Sequence, residues 1–332
     1  MRKFPQTRLR RTRMQAFSRN LVRETRLSAA DLIWPVFVLP GSNKREAISS
    51  MPGVERMSLD LLMPELAQAQ RLGIPAIALF PVVEASDKGP TAEAAWHDQG
   101  LMATSIRTIR QQLPELGIIA DVALDPYTSH GQDGILNEAG EIDNDLTLTA
   151  LGKQALCYAQ AGAQVLAPSD MMDGRIGHIR ALLEQHGFIN CQLLSYAVKY
   201  ASAFYGPFRD AVGSAGQLKG ASKASYQMDP ANTQEAIQEA RLDLEEGADM
   251  LMVKPGMPYL DVLWRVKNQF QVPTFAYQVS GEYSMLALGL EQQIITEAAI
   301  IESLLAFKRA GADAILSYFA PWAAKKLADK PL

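Results

Sequence analysis

Eight short apolar segments recur along the chain, and polar sequence of helix-compatible composition follows each of them. Several begin just after a glycine at the expected end of the preceding helix, where glycine is the usual left-handed cap. The predicted strands are residues 32–38, 76–82, 117–124, 163–167, 191–197, 250–253, 274–279 and 314–317. Strands that alternate with helices pair in parallel through right-handed crossovers, and eight such units close into a barrel. The sequence therefore predicts an α/β fold, a (β/α)8 TIM barrel.

An open, doubly wound sheet is the alternative architecture. It would require a glycine-rich phosphate-binding turn after the first strand, and residues 41–44 do not match one.

Residues 200–230 are polar, glycine-rich and longer than an ordinary loop. This favours an active-site lid around residues 200–225 over an insert without function. We expect an N-terminal arm over residues 1–28 and a single catalytic barrel domain over residues 29–332.

The arm is strongly basic, although the whole chain has a formal net charge of −4. Its basic residues are Arg2, Lys3, Arg8, Arg10, Arg11, Arg13, Arg19, Arg23 and Arg26, against one acid, Glu24. Such an arm can bind nucleic acid or act as a targeting peptide. It lacks the interleaved aromatic residues of a single-strand binder and the serine content of most transit peptides. We favour an arm that lies on the acidic body of a neighbouring subunit.

Cysteine use and hydropathy indicate a cytoplasmic protein that binds neither membranes nor nucleic acid. Cys157 and Cys191 each lie in an apolar run and predict buried free thiols in a reducing compartment. No apolar run approaches the roughly 20 residues of a membrane helix. Four scattered histidines without ligand spacing are interpreted as surface or structural residues: His97, His130, His178 and His186.

A lysine stands at the end of the apolar strand 250–253. Pro255, Gly256 and Pro258 then break the strand into a loop. Burial lowers the pKa of an amine, and a neutral amine can attack a carbonyl to form a Schiff base. Lys254 is therefore a candidate nucleophile. A lysine that simply reaches water where the strand ends is the alternative.

The C-terminal ends of barrel strands converge on one site. Ionisable and hydroxyl side chains are concentrated at these ends: Asp121, Asp125, Tyr127, Ser169, Asp170, Asp173, Arg175, Lys199, Lys254, Tyr277, Ser280, Ser317 and Tyr318. Lys199 and Lys254 follow neighbouring strands, and close ammonium groups disfavour each other's charge. Two such amines suggest two carbonyl substrates held together. A single Schiff-base lysine, with the other binding an anion, stays open as the alternative.

At these strand ends the sequence resembles the porphobilinogen synthase family, also called δ-aminolevulinic acid dehydratase. The matching stretches are residues 121–131, 167–175, 199–209, 226–230, 252–256 and 277–283. The resemblance begins at Thr7 and spans essentially the whole chain. It implies a hydro-lyase that condenses two 5-aminolevulinate molecules into porphobilinogen, with loss of two waters, in tetrapyrrole (haem) biosynthesis. Another class I Schiff-base aldolase and a non-catalytic ligand-binding barrel are the alternatives.

The resemblance also implies roles for single residues. Lys254 would form the Schiff base with the propionyl-side substrate and Lys199 with the acetyl-side substrate. Arg209 and Lys223 of the lid would bind the acetyl-side carboxylate, whereas Ser280 and Tyr318 would bind the propionyl-side carboxylate. Further substrate-binding positions would be Asp121, Ser169, Asp170, Phe208, Gln227 and Tyr277.

The resemblance indicates a zinc-independent, magnesium-stimulated member. Many members carry zinc on three cysteines, but the corresponding residues here are Ala123, Asp125 and Asp133. Carboxylates prefer hard cations, so Asp125 and Asp133 hold either such a cation or none, and we expect none that is essential. Glu239 matches the position of an allosteric Mg²⁺. Without the resemblance it would be interpreted as a surface charge. The family's usual assembly is a homo-octamer of arm-exchanged dimers.

Overall fold

The computed structural model describes residues 2–212 and 222–329. Its eight barrel strands are β1 (Leu32–Leu39), β2 (Ala76–Pro81), β3 (Gly117–Val122), β4 (Val165–Pro168), β5 (Gln192–Lys199), β6 (Met250–Lys254), β7 (Thr274–Gln278) and β8 (Ala314–Ser317). Neighbours in this order pair in parallel, and β8 pairs back with β1 through Leu32 and Ile315. This last pairing closes the barrel, so the predicted (β/α)8 TIM barrel is confirmed.

The helices surround the barrel as the alternating pattern predicts. They are α1 (Ala16–Leu21) in the arm, then α2 (Leu59–Arg71), α3 (Leu101–Gln112), α4 (Asn144–Ala161), α5 (Arg175–Gln185), α6 (Gly206–Ala211), α7 (Gln234–Glu245), α8 (Leu260–Phe270), α9 (Ser280–Glu291), α10 (Glu297–Arg309) and α11 (Ala320–Asp329). Gly162 ends α4 at a φ of 104°, in the left-handed region where a side chain is strained. Helices α6 and α7 both follow β5, and α9 and α10 both follow β7.

Short strands and 3₁₀ turns lie in the loops between the main elements. The strand Arg45–Ala47 pairs antiparallel with Glu55–Ser58, which in turn pairs parallel with β1. Ile135–Leu136 and Ile142–Asp143 form a separate two-stranded sheet in the loop after β3. The 3₁₀ turns are Leu9–Arg13, Ala29–Asp31, Ala85–Asp87, Glu93–Trp96, Ala203–Tyr205 and Met257–Tyr259.

Aromatic side chains fill the inside of the barrel beneath the C-terminal strand ends. Phe37 of β1, Phe80 of β2, Tyr196 of β5 and Tyr277 of β7 are each at most 2% exposed and belong to one inner cluster. The neighbouring residues of each strand face outward and pack on the helices, as the alternation of side chains along a strand requires. This buried aromatic layer excludes water beneath the strand ends.

Outside the barrel, the arm differs from the body. Neither the turn Leu9–Arg13 nor α1 buries any residue.

Cys157 and Cys191 are free and buried, as predicted. Within the described part of the chain, no helix has the length and apolar character needed to cross a membrane. The predicted lid around residues 200–225 includes α6, while residues 213–221 lie outside the described residues.

Candidate active site

Lys254 and Lys199 lie side by side. Each is the last residue of its strand, and the two are paired in register between β6 and β5. The two side chains are 7% and 6% exposed, so both amines are shielded from bulk water. The prediction that neighbouring strand ends bring two lysines together agrees with this geometry.

Aromatic rings surround the amine of Lys254. Its Nζ lies 4.7 Å from the ring centre of Tyr277, 5.2 Å from those of Tyr196 and Phe208, and 5.4 Å from that of Tyr205. Burial, together with the positive charge of Lys199, lowers the pKa of Lys254 to about 7, although Asp121 acts in the opposite direction. Near neutral pH a substantial fraction of this amine is therefore neutral and nucleophilic.

Oxygen atoms surround the amine of Lys199 instead. Its Nζ donates to the carbonyl oxygen of Ser169 and lies 3.5 Å from Oδ1 of Asp133. Asp133 is 1% exposed. Burial by itself would raise its pKa, but the charges of Lys199 and Lys223 outweigh that effect and hold the pKa below its usual range.

Lys223 reaches the same carboxylate from the far end of the lid region. Its Nζ lies 2.7 Å from Asp133 and 3.2 Å from Asp125, and its side chain is only 9% exposed. The hydroxyl of Tyr226 donates to Asp133 Oδ2 at 2.7 Å. The two aspartates that the resemblance relates to a metal site are thus bridged by an ammonium group of the chain itself.

Asp121 and Ser169 complete the surroundings of the two lysines. Burial raises the pKa of Asp121 above its usual range, against the opposing charges of Lys254 and Lys199 and a hydrogen bond from Ser169. A carboxyl with a raised pKa can both give and accept a proton near neutral pH. The pair is therefore suited to proton transfers beside either amine.

The predicted propionyl-side residues, Ser280 and Tyr318, contact two residues whose rings enclose the Lys254 amine. The hydroxyls of Tyr277 and Tyr318 are hydrogen bonded at 2.9 Å. Ser280, the first residue of α9, accepts the backbone N–H of Phe208 at 2.9 Å. This bond ties α9 to α6, the short helix that also carries the half-buried Arg209.

Asp170 contacts Arg175 and the backbone of the loop that follows β4. Its Oδ1 accepts the N–H of Met172 at 2.7 Å, and its Oδ2 lies 3.8 Å from the guanidinium of Arg175. Arg175 is itself buried and lies 2.9 Å from Asp243 of α7. Asp170 therefore belongs to a buried ionic cluster beneath α7.

Glu239 lies on the other side of that cluster. Together with Gln227, Asp173 and Glu235 it lines a cleft of about 660 Å³. Burial raises the pKa of Glu239 to about 7, with contributions from Asp243 and Asp173 against the opposing charge of Arg175. The described ranges 2–212 and 222–329 contain no group of three or more His, Cys, Asp or Glu side chains placed to hold a metal ion.

Sequence reasoning missed three side chains of this site. Tyr205 donates its hydroxyl to the carbonyl of Lys254 at 3.1 Å, and Tyr226 holds Asp133. Glu282 accepts backbone N–H groups of the loop after Lys254. All three lie within stretches that the resemblance covers, and Glu282 also occupies the third helical position, where a capping glutamate is common.

Comparison with known proteins identifies the family. The sequence profile described as "Delta-aminolevulinic acid dehydratase" matches residues 6–326. A protein of that name from Bradyrhizobium diazoefficiens is 55% identical over 96% of this chain and 90% of its own length. Another from Rhodobacter capsulatus is 48% identical over 97% of both chains.

A solved structure agrees with these relatives. The delta-aminolevulinic acid dehydratase (porphobilinogen synthase) of Toxoplasma gondii, in complex with the reaction product porphobilinogen, superposes with a TM-score of 0.95 at 46% identity. The match covers 98% of this chain and 92% of that one. The sequence profile, the relatives and the solved structure agree, and the chain therefore belongs to the delta-aminolevulinic acid dehydratase family.

Proposed function

We propose that Lys254 and Lys199 carry the two Schiff bases of the dehydratase reaction. In that reaction two 5-aminolevulinate molecules are joined by one C–C and one C–N bond into porphobilinogen, and their two ketone oxygens leave as water. Each lysine forms an imine with one ketone, and is released when the pyrrole ring closes. The observation that carries the proposal is the in-register pairing of the two buried amines.

The different surroundings of the two amines support an order of events. Lys254, with its pKa lowered to about 7, offers a neutral amine at neutral pH and takes the propionyl-side substrate first. Ser280 and Tyr318 bind that substrate's carboxylate, and Tyr277, which is hydrogen bonded to Tyr318, lines the same pocket. Lys199 then takes the acetyl-side substrate.

The remaining predicted residues are assigned around the second substrate. Arg209 and Lys223 bind its carboxylate, for which Lys223 must exchange its contacts with Asp125 and Asp133 for the substrate anion. Asp121 and Ser169 move protons, and Phe208 and Gln227 shape the pocket. Asp170 acts through Arg175 rather than by touching substrate.

Borohydride trapping tests these assignments. Reduction in the presence of labelled 5-aminolevulinate is expected to attach label to Lys254 and, at higher substrate concentration, to Lys199. Lys326→Met is the matched control, because Lys326 pairs with Glu297 at the surface and its loss should leave both adducts unchanged. A wild-type enzyme that is active but unlabelled at Lys254 would refute the assignment. A colour assay for porphobilinogen separates this function from an aldolase or a binding barrel.

We propose further that the enzyme is zinc-independent and stimulated by Mg²⁺ at Glu239. Only two cysteines are available, and both are buried singly, so a three-thiolate zinc site does not fit this chain. Mg²⁺ keeps several waters and needs only one or two carboxylates, which suits a half-buried glutamate in an acidic cleft. The ammonium group of Lys223 lies between Asp125 and Asp133 and offsets part of their charge, so we expect no essential cation there.

A metal titration tests this assignment. A zinc-selective chelator should leave activity intact, removal of Mg²⁺ should lower it, and Glu239→Gln should abolish the response to added Mg²⁺. Glu245→Gln is the control, since Glu245 is exposed near the end of the same helix. Strong inhibition by the zinc chelator, or an unchanged Mg²⁺ response in Glu239→Gln, would contradict it.

We also propose a cytoplasmic homo-octamer in which each arm lies on a neighbouring subunit. The arm exposes Phe4, Leu9, Phe17 and Leu21, which is costly in water for a free segment. The barrel carries a groove of about 710 Å³ whose lining includes Trp34 and Trp322. Two glutamates of the groove, Glu55 and Glu65, already pair with Arg45. The fit that we propose is therefore between apolar side chains of the arm and the apolar lining of the groove.

Sedimentation measurements of arm variants test this assembly. Phe17→Glu should produce smaller particles. Leu146→Glu, at an exposed leucine on α4 of the body, should not change the particle size. An octamer that survives Phe17→Glu and Leu21→Glu together would exclude the arm as its contact.

A further inference from the structure

Glu282 is a fully buried carboxylate to which none of the assignments above gives a role. It is the third residue of α9, and its Oε2 accepts the backbone N–H of Val279 at 2.6 Å. A glutamate at this position commonly turns back to cap the helix. Capping alone would be possible at the surface, so the complete burial of Glu282 calls for another explanation.

The same carboxylate holds the loop that follows Lys254. Its Oε1 accepts the N–H of Met257, and its Oε2 accepts the N–H of Gly256 at 3.4 Å. Three backbone donors, two of them just after the lysine, therefore converge on one side chain. Hydrogen bonds to a charged acceptor are roughly twice as strong as neutral ones. Here they offset part of the cost of burial, which raises the pKa of Glu282 to about 7.

The loop itself has little room to move. A Cβ atom on Gly256 would lie 2.3 Å from the ring of Phe307 and 3.0 Å from the carbonyl oxygen of Tyr277. On the other side, the carbonyl of Lys254 accepts the N–H of Tyr200 at 3.0 Å. The backbone is thus fixed both at Lys254 and immediately after it, and Glu282 supplies the fixation after it.

We propose that Glu282 is a positioning residue for the dehydratase reaction. By joining the loop after Lys254 to the start of α9, it sets the distance between the reacting amine and Ser280, the first residue of that helix. The inference rests on the proposed role of Lys254 as the Schiff-base amine. A displacement of about 1 Å at a reacting group can cost on the order of 10²-fold in rate. Loss of Glu282 should therefore lower kcat by slowing the step at Lys254, and the adduct at Lys199 should not change.

Glu282→Gln tests the proposal, because the amide keeps the size of the side chain but turns one acceptor oxygen into a donor that faces backbone N–H groups. We measure kcat, KM and the borohydride-trapped adducts at Lys254 and Lys199 separately, per mole of folded protein. The expected result is a fall of kcat by about 10- to 100-fold, with adduct lost at Lys254 relative to Lys199. Glu282→Asp keeps the carboxyl group and should recover part of kcat and part of the Lys254 adduct.

Ser284→Ala is the matched control, since Ser284 lies on the same helix and donates to the carbonyl of Ser50 at 2.7 Å. It should lower stability without changing the ratio of the two adducts. Wild-type kcat in Glu282→Gln, or equal loss of adduct at both lysines, would overturn the proposal. If Glu282→Gln does not fold, Glu282→Asp carries the same comparison. Absence of a Lys254 adduct in the wild-type enzyme would instead refute the proposed function.

Discussion

Lys254 and Lys199 occupy equivalent positions on neighbouring strands, yet they have opposite surroundings. Aromatic rings enclose the amine of Lys254, whereas oxygen atoms of Ser169 and Asp133 face the amine of Lys199. Exposure does not distinguish them, since both are nearly buried. Strand position brings the two amines together, and the neighbouring side chains give them different chemical environments.

The difference follows from which elements surround each amine. The rings around Lys254 come from β5, β7 and the segment 203–211, so they depend on the inner barrel core. The partners of Lys199 come from the end of β4 and from the loop after β3, which also receives Lys223. One site thus contains an apolar half and an ionic half.

Removal of either amine should have the largest effect. Lys254→Met and Lys199→Met are each expected to lower kcat by at least about 10⁴-fold, because loss of a covalent nucleophile cannot be replaced by binding alone. Borohydride trapping should then distinguish them: Lys199→Met still forms the adduct at Lys254, while Lys254→Met forms none there. An active Lys254→Met enzyme would show that the lysine is structural.

The second prediction concerns pH. With a pKa of about 7 for Lys254, the rate of adduct formation there should fall about tenfold per unit as pH drops below 7, because the neutral fraction falls by that factor. Stopped-flow trapping in the wild-type enzyme, with the Lys254 adduct resolved by peptide mapping, isolates this step and keeps the charge of Lys199 that contributes to the pKa. A flat profile between pH 5 and 8 would contradict the effect of the aromatic surroundings.

The same pKa has a consequence for stability. In the unfolded chain Lys254 keeps its proton up to its ordinary value of 10.5, whereas in the folded protein it loses the proton near 7. The unfolded state therefore binds more protons between these values, and stability gains a contribution that rises with pH across that window. In Lys254→Met this contribution is absent, so the free energy of unfolding should rise less steeply with pH. Urea unfolding measured between pH 7 and 10 tests this.

The position of Lys254 in the apolar half could be predicted from sequence, whereas the rings around it could not. Strand ends in a barrel converge, so the apolar run 250–253 followed by Lys254 predicts an amine at the shared site. Tyr196, Tyr205 and Phe208 enclose this amine, and no local pattern connects them to it. The predicted strand bounds agree with the structure to within two residues at each end. Periodicity carries this information because burial on both faces of a parallel strand leaves a continuous apolar run.

The ionic half could not be derived in the same way. Asp133 lies in a long loop, and nothing in its local sequence indicates that it meets Lys199, Lys223 and Tyr226 from three distant segments. Asp170 stands next to Ser169 in the chain but turns towards Arg175. Such contacts depend on how loops fold over the barrel, and no periodic pattern records them.

The third prediction tests the ionic half. Asp133→Asn removes the carboxylate shared by Lys199 and Lys223, which leaves Lys223 with Asp125 alone and Lys199 without its ion pair to Asp133. This change should lower the free energy of unfolding by about 3 kcal/mol at pH 7. Because the folded pKa of Asp133 lies below its ordinary value, its contribution is present above about pH 4 and is lost as pH falls through the folded pKa. Urea unfolding at pH 7 and pH 3 measures this, and equal stability losses at both would contradict it.

The smallest expected effect comes from a single hydroxyl on the apolar side. Tyr205→Phe keeps the ring 5.4 Å from the Lys254 amine and removes only the hydrogen bond to the lysine carbonyl. A net loss of about 1 kcal/mol should appear as a roughly five-fold lower kcat with an unchanged pH profile, because the ring and the dryness that set the pKa remain. Tyr200→Phe, which removes a bond to Asn232 at 2.8 Å, should leave kcat unchanged. If Tyr205→Phe moved the pH profile instead of kcat, the hydroxyl and not the ring would set the environment of the amine.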